Sequence, residues 1–180
     1  MSQNEDGIKV ANKDVGPIVS SAHLVSEQSP ELSEFEFALT IANNGFQRWM
    51  VRCMAAAGVP DLSPTDILVL HKLNQQNREK KLADICLVLN IEDTHVAIYA
   101  IKKLTKIGLV TSRKSGKENY FSTTEKGQAA CDAYRKVRES CLMDTLKTYG
   151  AANAEIGELA ALMRVLSGMY DQAARAAASL

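Results

Sequence analysis

"KIGLVTSRKSGKENYFSTTEKG", Lys106 to Gly127, is the stretch on which the fold of this chain turns. Gly108 closes a helical run, after which "LVTSRKS" and "NYFSTT" alternate as two short strands. The "GKE" between them is a turn that uses glycine's access to positive φ at Gly116. "STTEKG" then opens a new helix, with Ser122-x-x-Glu125 in the form of a capping box. A hairpin wedged between helices in this way reads as a wing.

Outward from the hairpin, the upstream sequence supplies three helices. "LSPTDILVLHKLNQQ" starts with Ser63 as N-cap, Pro64 at the first helical position and Asp66 near the positive helix end. Ile67, Leu70, His71 and Leu73 give it a buried stripe. "KKLADICLVLNI" predicts a short apolar helix stopped near Asn90, and "EDTHVAIYAIKKLTKIG" predicts a third, capped at Asp93 or Thr94. Its inner face is Ala97, Ala100, Ile101 and Leu104. The last two helices, joined by the tight "NIED" turn, have the form of a helix-turn-helix, whose second helix enters the DNA major groove.

Further out the chain is helical at both ends. Pro30 after Ser29, and the Ser-x-x-Glu of "SEFE" at 33–36, are helix-start signals. Phe35, Ala38, Ala42, Phe46, Trp49, Cys53 and Met54 then recur at helical steps as far as Gly58 and Pro60. Downstream, a long helix from Thr124 to Tyr149 carries Ala129, Ala133, Val137, Cys141, Leu142 and Leu146, and Gly150 breaks it. A last helix over 153–178 carries Ile156, Leu159, Met163, Leu166, Tyr170 and Ala174 on one stripe. A wing and three helices cannot cover all these apolar faces, so a second copy of the chain is expected.

Whole-chain properties agree. A length of 180 residues with 46% hydrophobic residues supports a real core, and only 6% aromatics favours helix packing over a β-sandwich. The formal net charge is zero, yet His71–Lys126 holds 11 Lys and Arg against 6 Asp and Glu, a local +5 balanced by −5 on the flanks. Between Lys102 and Lys117 lie six basic residues and no acidic one. That ridge points to a polyanion partner.

Other classes find little support. The sequence has no G-x-G-x-x-G, P-loop, Gly-x-Ser-x-Gly or His-Glu-x-x-His pattern, so no catalytic residue and no cofactor is assigned. The four cysteines show no CxxC or zinc spacing, so no metal is expected and buried thiols in a reducing cytoplasm are. Cys53 has only Arg52 as a neighbouring cation, which gives thiolate activation no basis. The N-terminus has neither an apolar core nor an early positive cluster, and no run is long enough for a membrane span; a cytoplasmic protein is expected.

"LSPTDILVLHKL", "LTKIGLVTSRKS" and "FSTTEKG", in that order within residues 34–178, resemble the MarR family of bacterial transcription regulators. The resemblance implies a homodimer held by its first and last helices, with two winged helices on adjacent major grooves of a pseudo-palindromic operator. It also implies release by a small phenolic or lipophilic effector bound between the dimerisation and DNA-binding parts. Two features depart from the family. Tyr99 stands where relatives often have arginine, and a shorter wing lacks their Asp-x-Arg-Asp pattern, so their minor-groove arginine contact does not transfer.

The expected fold is mostly α: a winged helix-turn-helix of three helices plus a two-stranded β wing (61–124), between dimerisation helices. A flexible arm (1–28) and an N-terminal dimerisation helix (29–58) precede it, and C-terminal dimerisation helices (125–180) follow. The expected function is a DNA-binding transcription regulator, a repressor, on double-stranded DNA. Thr94, His95, Ile98, Tyr99 and Lys102 face outward on the recognition helix. His95 and Tyr99 are assigned to bases or phosphates, Ile98 to a thymine methyl and Lys102 to phosphate. Lys103, Lys106, Arg113, Lys114 and Lys117 complete the cationic surface. The alternative is a winged-helix protein-interaction module without specific DNA binding, since Ile98 and Tyr99 also suit a protein interface. Phe46 and Trp49 either line an effector pocket with His71 and the neighbours of Tyr99 or fill the dimer core. His71 reads as a satisfied core histidine.

Overall fold

A computed structural model of the chain describes residues 25–26, 28–149 and 153–180. The arm as far as Leu24, with its His23, and Gly150 lie outside the described residues. Helix α1 (Pro30–Ala56) has proline in its first turn and ends before Gly58, whose φ is +91°. The "SEFE" capping box does not form. Ser33 lies inside the first turn, buried, and its Oγ accepts the Ser26 N–H at 3.0 Å, while Ser26 Oγ accepts from Gln28 and Ser29 N–H.

Helix α2 (Pro64–Asn74) starts as its sequence dictates. Asp66 N–H donates to Ser63 Oγ and Ser63 N–H donates to Asp66 Oδ2, a reciprocal box that satisfies two otherwise orphaned donors. Helix α3 (Leu82–Leu89) stops at Asn90, which takes left-handed φ/ψ, and α4 (Thr94–Lys106) follows. The four expected inner residues of α4, Ala97, Ala100, Ile101 and Leu104, are all buried. Ala100, Ile101 and Leu104 pack with Ile67, Leu70 and Leu73 of α2, Ile85 of α3, and Leu109 and Val110 beyond α4.

The wing consists of β2 (Val110–Ser115) and β3 (Glu118–Thr123), antiparallel, with Ser115 opposite Glu118. The loop is Gly116–Lys117; Glu118, expected in the turn, belongs to the strand. Gly116 has φ +60° and Lys117 does not turn positive, the sign pattern of a II′ hairpin turn. The sheet has a third strand that the two-stranded expectation lacked. Lys80 and Lys81 form β1, which pairs with β3 so that the order is β1-β3-β2.

Helix α5 (Glu125–Arg138) is capped by Thr124, whose Oγ1 accepts the Gly127 N–H at 3.1 Å; Ser122, the expected cap, is still in β3. Its buried residues are Gly127, Ala130, Cys131 and Tyr134, so the inner stripe lies one notch round from the expected Ala129 and Ala133, while Val137 packs against the core as a partly buried residue. Gly127 sets that rotation. A Cβ there would sit 2.1 Å from the Leu109 carbonyl oxygen, so the bare backbone of α5 docks on the α4–wing connection. A π-helical turn (Glu139–Met143) follows and shifts the phase of the stripe before α6 (Asp144–Tyr149). Cys141 is exposed, whereas Cys53, Cys86 and Cys131 are buried.

Only the C-terminal part of α1 reaches this core, through Met50, Cys53 and Met54; Ala38 and Ala42 of its apolar stripe are exposed, and so is Phe46 at 53%. The last helix, α7 (Asn153–Ala177), has no buried residue, and Leu159, Leu162 and Val165 stand exposed. It meets α1 where Tyr170 O–H donates to Glu36 Oε1 at 3.0 Å. Among the described residues no helix is long and apolar enough to cross a membrane.

Candidate nucleic-acid interface

The interface is built on α4 and the wing. Asp93 caps α4 by accepting the His95 N–H at 2.9 Å. Thr94, His95, Lys102 and Lys106 are exposed as expected, and Tyr99 is 72% exposed, a large aromatic surface with no intramolecular use. Ile98 is half-buried instead. It turns towards the wing and lines a groove of about 590 Å³ with Leu82, Ile101 and Phe121 beside Lys102 and Lys117.

The basic residues fall into two groups. Lys103 departs from the expected phosphate surface: its Nζ donates to Asp66 Oδ2 at 2.8 Å and to the Asp61 carbonyl at 2.6 Å. It therefore joins α4 to the N-terminus of α2. Arg113 is likewise engaged, donating from Nε and one terminal nitrogen to the two Glu79 oxygens at 2.9 and 2.6 Å. The guanidinium holds the Glu79 carboxyl below its usual range, and Glu79 raises Arg113 in turn. Lys80, part of the sequence's +5, is only 5% exposed. Its ammonium donates to the carbonyls of Leu73, Gln75 and Arg78, closing the frayed end of α2, and burial lowers its pKa. Among the described residues no ion pair holds Lys102, Lys106, Lys114 or Lys117.

Three contributors have no local signal in the sequence: Glu79, Lys81 and Tyr120. The Tyr120 ring lies between Lys81 Nζ, 5.5 Å from its centroid, and Arg113 Cζ, 5.4 Å away. Lys81 also faces Glu118 at 3.7 Å, the first cause of its raised pKa.

Of the two readings of Phe46 and Trp49, the effector pocket shared with His71 gains no support, because neither lines the cavity that holds His71. His71 lines this cavity of about 350 Å³ between α2 and α5, with Cys131, Tyr134, Arg135 and Arg138. Its ring meets Tyr134 edge-on at 4.5 Å. It is not a satisfied histidine, because Nε2 is buried without a hydrogen-bond partner, and burial lowers its pKa. Cys53, with Sγ donating to the Tyr134 carbonyl, is also shifted by burial, upward, away from thiolate chemistry. Among the described residues no group of His, Cys, Asp and Glu could hold a metal ion.

Residues 62–127 match the family model described as "Winged helix DNA-binding domain". Of the solved structures, the transcriptional repressor CouR bound to a 23-mer DNA duplex is 22% identical, with 76% of this chain and 95% of that one covered at a TM-score of 0.63. The MarR family transcription regulator SP03579 is 14% identical, covering 82% and 95%, at a TM-score of 0.64. CouR from Rhodococcus jostii RHA1 bound to p-coumaroyl-CoA is 12% identical, covering 73% and 90%, at a TM-score of 0.62. At these identities the likeness establishes the fold. No curated protein matches the sequence.

Proposed function

We propose that this chain, whose winged helix over residues 62–127 sits in a fold shared with MarR family regulators, is a sequence-specific DNA-binding transcription regulator of the cytoplasm. It represses by occupying a pseudo-palindromic operator as a homodimer. The observation that carries this reading is the row of lysines without ion pairs, Lys102, Lys106, Lys114 and Lys117, along the open face of α4 and the wing. Lysines there neutralise phosphates, while Thr94, His95 and Tyr99 reach base edges. Ile98 meets a thymine methyl only by leaving its groove. Arg113 joins the phosphate contacts by exchanging partners, and Lys103 acts through Asp66 rather than on DNA.

Residues 29–58 and 125–180 are the dimerisation parts, supported by the uncovered apolar side chains of α1 and α7. A small phenolic effector is assigned to the α2–α5 cavity, a reading supported by His71, which lines it and whose buried Nε2 has no hydrogen-bond partner among the described residues. The fold relatives bound to DNA and to p-coumaroyl-CoA support both halves of this reading. Selecting bound fragments from the source genome tests it. The expected result is a shared sequence with two half-sites about one helical turn apart, released by a phenolic acid. Recovery of unrelated fragments would overturn sequence specificity.

A further inference from the structure

The strand register sets Lys81, Tyr120 and Arg113 in one row across β1, β3 and β2. Arg113 passes the Tyr120 ring and closes a two-bond fork on Glu79, the residue before β1. The fork matches the geometry that guanidinium also makes with phosphate, so the two partners are interchangeable in shape. It is also open to exchange. The side chains of Arg113 and Glu79 are 58% and 36% exposed, and a pair so wetted holds together weakly. The Lys103–Asp66 pair contrasts with it, because Asp66 is buried and fixed by the Ser63 N–H.

With Glu79 in place, a duplex meets at Arg113 a neutral pair whose carboxylate repels phosphate. We propose that Glu79 suppresses sequence-independent duplex binding by holding Arg113 in reserve, so that only a backbone seated against the wing draws the guanidinium away. This inference rests on the duplex-binding reading above. It assigns a role in specificity to an acidic residue that would touch no base.

The test compares the full-length wild type, Glu79→Gln, Arg113→Gln and the double variant on a mixed-sequence duplex. Binding is followed by fluorescence anisotropy between about 50 and 200 mM salt. Glu79→Gln is expected to tighten binding about three- to tenfold at the low-salt end, and to steepen the log–log salt slope by about 0.9, one further phosphate contact. In the Arg113→Gln background the same change is expected to alter neither quantity, a coupling that a general gain of positive charge would not produce. An unchanged Glu79→Gln, equal tightening in both backgrounds, or weaker binding (which would make Glu79 a holder of Arg113 for DNA) each overturns the inference. A wild type that also fails to bind at low salt removes the duplex reading itself, which separates the two failures. Circular dichroism should show all four proteins folded alike, since the pair lies on the surface.

Discussion

The bridge between Lys103 and Asp66 makes an asymmetric demand on stability. Asp66 is 5% exposed and its Oδ2 accepts from both Lys103 Nζ and the Ser63 N–H; the Lys103 side chain is 43% exposed. In Asp66→Asn the amide oxygen can still take the Ser63 N–H, and the released ammonium can swing into water. The loss is then a partial cap and one charge-assisted bond, about 1 kcal/mol. In Lys103→Met the carboxylate stays buried with one donor, and the Asp61 carbonyl loses its partner as well. Removing one member of a buried pair costs about 3–5 kcal/mol, which the half-open lysine side reduces to about 2–3 kcal/mol. Urea unfolding of both variants measures this, as a shift of midpoint at unchanged m. Lys103→Met is expected to lose at least twice as much as Asp66→Asn while keeping the wild-type salt slope on DNA. An Asp66→Asn as damaging as Lys103→Met would refute the asymmetry. A salt slope flattened in Lys103→Met would return this lysine to the phosphate surface.

Other consequences follow from single contacts. Gly127→Ala drives a Cβ to 2.1 Å from the Leu109 oxygen, a backbone atom with nowhere to go; the expected cost is about 2–3 kcal/mol, seen as a lower Tm in thermal unfolding. His71 has its pKa lowered by burial, so in acid the unfolded chain gains a proton that the folded chain refuses. Stability should therefore fall as pH drops below about 6.5, the histidine's usual value, and level off below its folded pKa; His71→Gln should flatten this limb in pH-dependent unfolding. Replacing Leu159 and Met163 with glutamate should yield monomers or unfolded chain in sedimentation, and an intact folded dimer would count against α7 as the seam.

What could be read from the sequence was local. Ser63, Pro64 and Asp66 announce α2 because a cap and its box span only three residues, and Gly116 marks its turn because positive φ is costly for other residues. The inner face of α4 was legible because that helix is amphipathic against a core on one side. The misreadings were set at a distance. β1 is two residues long and exists only because β3, some 40 positions later, accepts it. The rotation of α5 follows from a backbone contact at Gly127, which hydrophobic spacing cannot report. The interface suffered in the same way. Counting cations gave their number and sign, but the partners that engage Lys80, Lys103 and Arg113 lie up to 42 residues away in sequence. Charge type was readable; charge availability was not.

The most direct test of duplex binding by this winged helix is the salt dependence of wild-type affinity for a mixed-sequence duplex, beside a Lys114→Ala/Lys117→Ala variant. Four available lysines per protomer give an expected log–log slope of roughly −3.6, doubled for a dimer engaging both halves, and the variant should lose about 1.8 per protomer. Binding that is absent at low salt, or whose slope stays near zero in both proteins, would contradict it.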